Sequence, residues 1–201
     1  LRLEINSLGN KESRGKYIES LKEFLNKKKS HLSEESLRRL EKNPLRILDS
    51  KNSNDLEIVK ECPKINSFFD KESSDFFDGI TKGLNQLGIK FELNSNLVRG
   101  LDYYNHTAFE YKTFEEKSQN TILAGGRYDS LINMLGGNNS TGVGWAAGIE
   151  RIVLNLVSKN KEKFTISVFS NSPEFNFEVL NLIKNLKPKD NLQINFLNSG
   201  N

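Results

Sequence analysis

Residues Leu97–Glu110 read LVRGLDYYNHTAFE and join an arginine, a glycine and two adjacent tyrosines to a strand-like run. Arg99 carries a planar fork of donors that suits phosphate or carboxylate oxygens. Gly100 beside it lets a ligand approach the backbone closely. The alternation of apolar and polar residues that begins at Thr107 predicts a strand. The stretch therefore predicts a ligand site that leads directly into a sheet.

Two plainer interpretations of this stretch stay open on the residues alone. Arg99 is equally suited to a structural ion pair with Asp102 or Glu110. In an extended segment Tyr103 and Tyr104 point to opposite faces, so we expect at most one of them to face a given pocket and the other to pack. The place of the Arg99 side chain in the folded chain decides between a ligand contact and an ion pair.

The composition indicates a globular protein without a membrane segment. The chain has 201 residues, of which 36% are hydrophobic, which is enough for a packed core. Its 29 basic and 26 acidic residues nearly balance, so the net charge of +3 is weak evidence for nucleic-acid binding. Cys62 is the only cysteine, which excludes an internal disulfide and a multi-cysteine zinc cluster and predicts a cytoplasmic location.

Two further stretches carry residues suited to chemistry. AGGRYDSLI (Ala124–Ile132) has consecutive glycines that allow close backbone approach, and Tyr128 offers a hydroxyl, although strand ends commonly carry glycine pairs. In GVGWAAGIERIVL (Gly142–Leu154) small residues lead into a helix that bears Arg151. An arginine near a helix start is unfavourable for the helix macrodipole. Its presence there therefore indicates another requirement, such as the binding of an anion. The chain lacks the phosphate loop, the dinucleotide fingerprint and any His-rich metal pattern.

Strand patterns lie at both ends of the chain. Leu1–Asn6 alternates apolar and polar residues, which predicts a strand that is buried on one face and needs a neighbour. Leu192–Leu197 predicts a strand that runs into a polar end without a closing element. The chain is therefore expected to be an internal piece of a longer protein.

Helical periodicity dominates from about residue 12 to residue 93. Ser33 is predicted to cap a helix that ends at Asn43 and the following proline. Asp75–Leu87 predicts another helix, with Gly88 as its stop. The apolar stripe of that helix, expected to be buried, comprises Phe76, Phe77, Ile80, Leu84 and Leu87.

The remaining patterns predict an antiparallel sheet and then a separate α/β unit. Strands are predicted where Ile89, Phe91 and Leu93 alternate, again around Phe109, and over Thr121–Ala124 before the glycine pair. A short helix is expected from Tyr128 to Leu135. The last unit is predicted as a strand (Phe164–Phe169), a helix (Glu174–Leu186) and the final strand, with its boundary in Lys159–Lys163.

The order and wording of these stretches resemble the histidyl-tRNA synthetase family of class II aminoacyl-tRNA synthetases. LVRGLDYYNHTAFE resembles the first histidine-specific motif, LAGGRYDSLI the second, and GVGWAAGIERIVL class II motif 3. LEINSLG (Leu3–Gly9) resembles the strand after motif 2, and NPLRILDSKN (Asn43–Asn52) part of the helical insertion between motifs 2 and 3. The resemblance covers nearly the whole chain.

The resemblance implies an α+β fold: a partial antiparallel-sheet class II catalytic core with a helical insertion, followed by the start of an α/β anticodon-binding domain. The implied divisions are a core strand in residues 1–10, the helical insertion in 11–88, the core with the histidine motifs and motif 3 in 89–158, and the incomplete anticodon-binding domain in 164–201.

The implied activity is the ATP-dependent activation of histidine to histidyl-adenylate and its transfer to tRNA(His). Arg99 would be catalytic, since it lies against the α-phosphate in this family and stabilises charge in place of a metal ion. Tyr104 and Tyr128 would hydrogen-bond around the bound histidine. The implied histidine-binding residues are Arg99, Tyr103, Tyr104, Gly125, Gly126 and Tyr128, the two glycines shaping the pocket floor.

The resemblance also implies an ATP site and partners. Arg151 would grip the γ-phosphate, and Gly144 and Gly148 would let the nucleotide pack closely. ATP is expected as a substrate with Mg²⁺, without a metal site on the protein, and the intact protein is expected to be a homodimer that does not contact membranes.

Departures from the family limit what this chain is expected to do alone. His106 stands where the family often has arginine, which should change a local contact without removing a catalytic group. Nothing resembles motif 1, motif 2 or the upstream acidic residues that read the histidine ring, so the isolated chain is expected to be inactive. A non-catalytic relative, the regulatory subunit of ATP phosphoribosyltransferase, is the alternative, although it tends to lose the histidine motifs that are intact here.

Overall fold

The computed structural model describes residues 1–100, 103–114, 120–156, 164–170, 172, 175–186 and 192–198. A mixed sheet, a group of helices packed against it and a separate two-stranded unit make up this part of the chain. The strands are β1 (Arg2–Ser7), β2 (Glu92–Leu93), β3 (Asn105–Lys112), β4 (Thr121–Arg127), β5 (Val143–Ala147), β6 (Phe164–Ser170) and β7 (Leu192–Asn198). The α-helices are α1 (Lys11–Lys27), α2 (Glu34–Lys42), α3 (Ser53–Glu61), α4 (Lys71–Gln86), α5 (Leu131–Met134), α6 (Ile149–Asn155) and α7 (Asn176–Leu186).

The main sheet has the strand order β2-β1-β3-β4-β5. β3 pairs antiparallel with β1, and β4 pairs antiparallel with both β3 and β5, as expected. The expectation of a purely antiparallel sheet is wrong at one edge, where β2 runs parallel to β1. This strand is only two residues long, and the chain continues from it into the loop that carries Arg99.

Strand β1 is buried on both faces, whereas the sequence pattern predicts burial on one. Leu3 and Ile5 lie in the core, but Glu4 and Asn6 on the other face are only 4% and 7% exposed. These polar groups are buried because each has partners: Asn6 Nδ2 donates to the Leu97 carbonyl at 2.9 Å, and Glu4 pairs with Lys112 at 2.7 Å. The alternating pattern therefore places apolar residues on one face of β1 and, on the other, polar residues that have hydrogen-bond or ion-pair partners.

Strand β5 was not predicted, and β4 runs further than predicted. The first residues of the stretch Gly142–Leu154 form the strand Val143–Ala147, and β4 continues through Gly125 and Gly126 to Arg127. Glycine and alanine disfavour strands in general, but here the two strands pair residue by residue, with Gly126 opposite Gly144. The predicted helix after β4 is confirmed in a shorter form, as α5.

The helices α1, α2 and α3 enclose the main hydrophobic core. Asn10 caps α1 by accepting from Ser13 N, and Tyr17, Leu21 and Leu25 lie one turn apart on its fully buried side. The prediction for α2 is confirmed: Ser33 caps it, and it ends before the proline that follows the C-cap. Within the described residues no helix is both long and apolar enough to cross a membrane.

Helix α4 begins earlier than predicted and is less buried. It starts at Lys71, with Asp70 as the cap that accepts from Ser73 N, and Ser73 is its only buried residue. The apolar stripe from Phe76 to Leu87 is half-buried, so its expected full burial is wrong. The helix does stop where predicted, because Gly88 takes the left-handed conformation at φ +59°.

Asp55 ties three parts of the helical group together. It is completely buried, and its carboxylate accepts hydrogen bonds from the Ser33 N–H at 2.9 Å and from the hydroxyls of Ser33, Ser36 and Ser50 at 2.7 Å each. Burial alone would raise the pKa of Asp55, but these hydrogen bonds outweigh it and lower the pKa.

Replacing Asp55 with alanine is expected to lower the free energy of unfolding by about 3 kcal/mol, because three serines lose a charged acceptor inside the protein. Urea denaturation of the variant and of Asp49→Ala, an exposed aspartate, measures the effect. Since the native pKa is lowered, the stabilisation is present above the ordinary aspartate pKa and is lost as the pH falls below about 4. Equal effects of the two substitutions would contradict this role.

The last unit matches its prediction. Strands β6 and β7 pair in parallel from Phe164↔Leu192 to Ser170↔Asn198, and α7 connects them. The predicted helix start at Glu174 and the predicted boundary at Lys159–Lys163 lie outside the described residues.

Candidate active site

Three tyrosines from two separate segments meet beside the main sheet. The ring centroids of Tyr103 and Tyr104 are 4.7 Å apart, and each lies 5.8 Å from that of Tyr128, with the Tyr128 ring edge-on to both. The expectation that Tyr103 and Tyr104 point to opposite faces is wrong, because they lie in the turn before β3 and not in extended backbone. All three rings therefore belong to one cluster.

The glycine pair Gly126 and Gly144 forms the floor under this cluster. A Cβ on Gly126 would meet the Tyr104 ring at 2.9 Å, and one on Gly144 would meet the Tyr128 hydroxyl at 2.3 Å. Both positions therefore need glycine if the tyrosines are to lie this close to the sheet. Gly125, which was expected to share the pocket floor with Gly126, lies on the opposite face of the sheet, where a Cβ would meet Phe109 at 2.8 Å.

The residues on both sides of Tyr128 hold it in place. Asn105 Nδ2 donates to Asp129 at 2.8 Å, the Asp129 N–H donates back to Asn105 Oδ1 at 3.0 Å, and Arg127 Nε donates to the same carboxylate at 2.8 Å. Burial alone would raise the pKa of Asp129, but the bonds from Asn105 and Arg127 outweigh it and lower the pKa. A charged Asp129 thus fixes the segment that presents the Tyr128 ring.

Tyr104 is held from the helical side. Arg14 Nη1, on α1, donates to the Tyr104 carbonyl at 2.5 Å. Burial, together with the neighbouring Tyr103 hydroxyl, raises the pKa of Tyr104. Its phenol therefore stays protonated at neutral pH and can both donate and accept a hydrogen bond.

Arg99 contacts both an acid and the tyrosine cluster. Its Nη1 lies 2.6 Å from Glu110 Oε1, and its guanidinium carbon lies 5.7 Å from the centroid of the Tyr104 ring. The ion pair that the sequence left open is therefore present with Glu110, while Asp102 lies outside the described residues. The pair does not use every donor, because Arg99 Nε is buried and has no partner in the described part of the chain.

The Arg99 pair belongs to a buried charge network on one face of the sheet. Lys112 Nζ lies 2.7 Å from Glu4 and 3.4 Å from Glu110, and Arg2 Nε lies 3.2 Å from Glu4. Burial alone would raise the pKa of Glu4, but hydrogen bonds and charges from Lys112 and its other partners lower it. With three cations and two carboxylates, the network stays positive and suits an anionic ligand.

Arg151 and Gly148 lie at the other side of β4. Gly148 caps α6, and its N–H donates to the Ile122 carbonyl at 2.9 Å. Arg151, in the first turn of α6, donates from Nη1 to the Thr121 carbonyl at 2.5 Å. The site residues thus form two groups, the tyrosines with Arg99 and the α6 start with Arg151, which are joined through β4.

A cavity of about 640 Å³ opens beside the tyrosine cluster. The start of α1, with Lys11 and Arg14, lines one side, and Tyr103 and Tyr104 line another. The described residues contain no group of three or more His, Cys, Asp or Glu side chains that could hold a metal ion.

Sequence reasoning missed several residues of the site. Arg14 lies 90 residues from Tyr104, and no local pattern connects the two. Thr121 and Lys112 belong to no motif that indicates a site. They pair with each other at the ends of neighbouring strands, which places both near Glu110. His106 is buried against Phe76, with ring centroids 4.8 Å apart, and has a φ of +48° at an irregular point of β3.

Comparison with known proteins identifies the relatives of this arrangement. A family model described as histidyl-tRNA synthetase matches residues 11–152. The chain is similar to histidine–tRNA ligases of Wolbachia pipientis subsp. Culex pipiens (49% identity over 83% of the chain and 41% of that protein) and Rhodospirillum rubrum (44% over 99% and 48%). The crystal structure of apo Staphylococcus aureus histidyl-tRNA synthetase matches with a TM-score of 0.56 and 27% identity, over 100% of the chain and 50% of that structure. The chain spans about half the length of these relatives or less.

Proposed function

The chain belongs to the histidyl-tRNA synthetase family, and from this premise we propose that the whole protein activates histidine with ATP and transfers it to tRNA(His). In the first step the histidine carboxylate attacks the α-phosphorus of ATP, which forms histidyl-adenylate and releases pyrophosphate. In the second step a ribose hydroxyl at the 3′ end of the tRNA attacks the histidyl carbonyl, and AMP leaves.

The convergence of Arg99 and the tyrosine cluster over a glycine floor carries this proposal. Tyr104 and Tyr128 belong to the two stretches that resemble the histidine-specific motifs and are 24 residues apart in the sequence, yet their rings lie 5.8 Å apart. Phenol hydroxyls can both donate and accept hydrogen bonds, which suits an imidazole and an amino group, and Arg99 supplies a cation next to Tyr104. A pocket that hydrogen-bonds its substrate in this way rejects analogues without the same groups.

Each group of the site has a proposed role. Arg99 stabilises the negative charge that builds up at the α-phosphate when the carboxylate attacks. Tyr104 and Tyr128 orient the histidine, with Tyr103 packed against both and Gly126 as the floor. The members proposed for ATP binding are Gly144, Gly148 and Arg151; Gly125 supports the sheet from its other face.

The partners and surroundings of the whole protein are part of the same proposal. ATP serves as a substrate and brings Mg²⁺ on its phosphates. Residues 1–10 and 89–158 are proposed as catalytic core, 11–88 as the helical insertion, and 164–201 as the start of the anticodon-binding domain. Family membership supports a homodimer that works in the cytoplasm.

ATP–pyrophosphate exchange with a panel of amino acids tests the proposed function. The assay uses the complete product of the gene that encodes this chain, called the full gene product below. Exchange is expected with histidine and with none of the other amino acids, followed by attachment of labelled histidine to tRNA. Binding of histidine without any exchange would instead indicate a non-catalytic relative.

The 201-residue chain alone is expected to show no histidine-dependent exchange. It contains no stretch that resembles motif 2, whose arginine holds ATP in this family, and no counterpart of the acidic residues that read the histidine ring. Exchange by the chain alone is measured beside the full gene product at equal concentration. Comparable rates for the two would refute this expectation.

A further inference from the structure

We propose that Glu110, held by Thr121, is the positioning residue for Arg99. The inference rests on the proposed function, since it assigns Arg99 to the reacting phosphate. Glu110 itself is not placed against a substrate. Its role is to fix the direction of the guanidinium before the substrates bind.

Both oxygens of the Glu110 carboxylate are engaged. Oε1 accepts from Arg99 Nη1 at 2.6 Å, and Oε2 accepts from the Thr121 hydroxyl at 3.0 Å. A carboxylate held at both oxygens cannot rotate away from either partner. The side chains of Arg99 and Glu110 are only 20% and 14% exposed, so water competes little for this contact.

Residues on two strands of the sheet hold the side chain of Arg99, which lies on a loop. Arg99 lies in the loop between β2 and β3, whereas Glu110 is on β3 and Thr121 is on β4. The backbone around Arg99 therefore does not fix its long side chain, and a partner on a strand does so better. An arginine that is already oriented loses less conformational entropy when it binds the transition state.

A register shift between β3 and β4 aims Thr121 at Glu110. Tyr111 pairs with Leu123, but Lys112 pairs with Thr121, so Ile122 is an extra residue on β4. Without the shift, Thr121 would face the opposite side of the sheet from Glu110. The register shift therefore places the Thr121 hydroxyl on the face of the sheet where it can bind Glu110.

Thr121 also reaches the second proposed arginine. Its carbonyl accepts from Arg151 Nη1 at 2.5 Å, while its hydroxyl donates to Glu110. One residue thus links the arginine assigned to the α-phosphate with the one assigned to the γ-phosphate. Their relative positions depend on β4, which lies inside the sheet between β3 and β5.

Steady-state exchange kinetics of the full gene product test the proposal. Glu110→Gln is expected to lower kcat about tenfold while the KM for histidine changes by less than about threefold. Thr121→Val should also lower kcat, whereas Thr121→Ser, which keeps the hydroxyl, should have a kcat close to that of the wild type. Glu35→Gln is the control, because Glu35 on α2 also pairs with an arginine, Arg39, but lies outside the charge network around Arg99.

A double variant separates positioning from a purely structural role. If Glu110 acts through Arg99, adding Glu110→Gln to Arg99→Ala should cause no further loss of kcat. Equal losses from Glu110→Gln and Glu35→Gln, or additive losses in the double variant, would overturn the proposal. If Glu110→Gln does not fold, a Thr121→Val variant with unchanged kcat overturns it instead.

The exchange rate of the wild-type full gene product separates failure of the proposed function from failure of the role of Glu110. Absence of histidine-dependent exchange in the wild-type full gene product would overturn the proposed function and the role of Glu110 together. An active wild type with a fully active Glu110→Gln variant would overturn the role of Glu110 alone.

Discussion

Replacing Arg99 with alanine is expected to lower kcat for histidine-dependent exchange by the full gene product about 100- to 1,000-fold. Removal of one fixed donor at a developing negative charge has an effect of this size in other enzymes. The KM for histidine should change little, because the Tyr104 and Tyr128 rings remain in place. Arg99→Lys should recover only part of the rate, since an ammonium keeps the charge without the planar fork.

Arg38→Ala is the control for this substitution, because Arg38 is an exposed arginine on α2. Its exchange rate should equal that of the wild type. Thermal unfolding is measured for both variants, since Arg99→Ala also leaves the carboxylate of Glu110 without its closest cation. A folded Arg99→Ala variant with a kcat within threefold of wild type would refute the catalytic role.

Replacing Arg151 with alanine is expected to raise the KM for ATP about 100-fold in the same assay. A guanidinium forms charge-assisted, often bidentate hydrogen bonds to phosphate, and its loss removes them from the nucleotide. Binding of histidine in the absence of ATP, measured by calorimetry, should stay unchanged, because Arg151 belongs to the group at the start of α6 and not to the tyrosine cluster.

The same Arg38→Ala variant serves as the control for ATP binding. An unchanged KM for ATP in Arg151→Ala would show that this arginine only anchors α6 to the Thr121 carbonyl. Loss of histidine binding in Arg151→Ala would show that the two groups of the site are not separate.

Residue patterns were enough to predict the parts of the fold that depend on local periodicity. The cap at Ser33, the stop at Gly88 and the final strand–helix–strand unit all follow from neighbouring residues. Strand β5 could not be predicted in this way. Gly144 and Ala146 lie in a strand because they pair with Gly126 and Ala124 of β4, and local residue patterns do not show that pairing.

The sequence motifs propose the residues of the candidate site, but they do not predict how the side chains are arranged. Tyr103 and Tyr104 are neighbours, and whether their rings diverge or meet depends on a turn that the residue types do not specify. The ion pair of Arg99 was one of two open alternatives, and the structure places it together with the ring contact to Tyr104. The contribution of Thr121 depends on a one-residue register shift that leaves no pattern in the sequence.

A crystal structure of the full gene product grown with histidine and ATP tests most directly whether Arg99 and the tyrosine cluster form the histidine-activation site. An Arg99 nitrogen is expected at about 3 Å from an oxygen of the α-phosphate, with the histidine beside Tyr104 and Tyr128 and the Arg99–Glu110 pair intact. Histidine bound elsewhere, with Arg99 contacting only Glu110, would contradict the assignment.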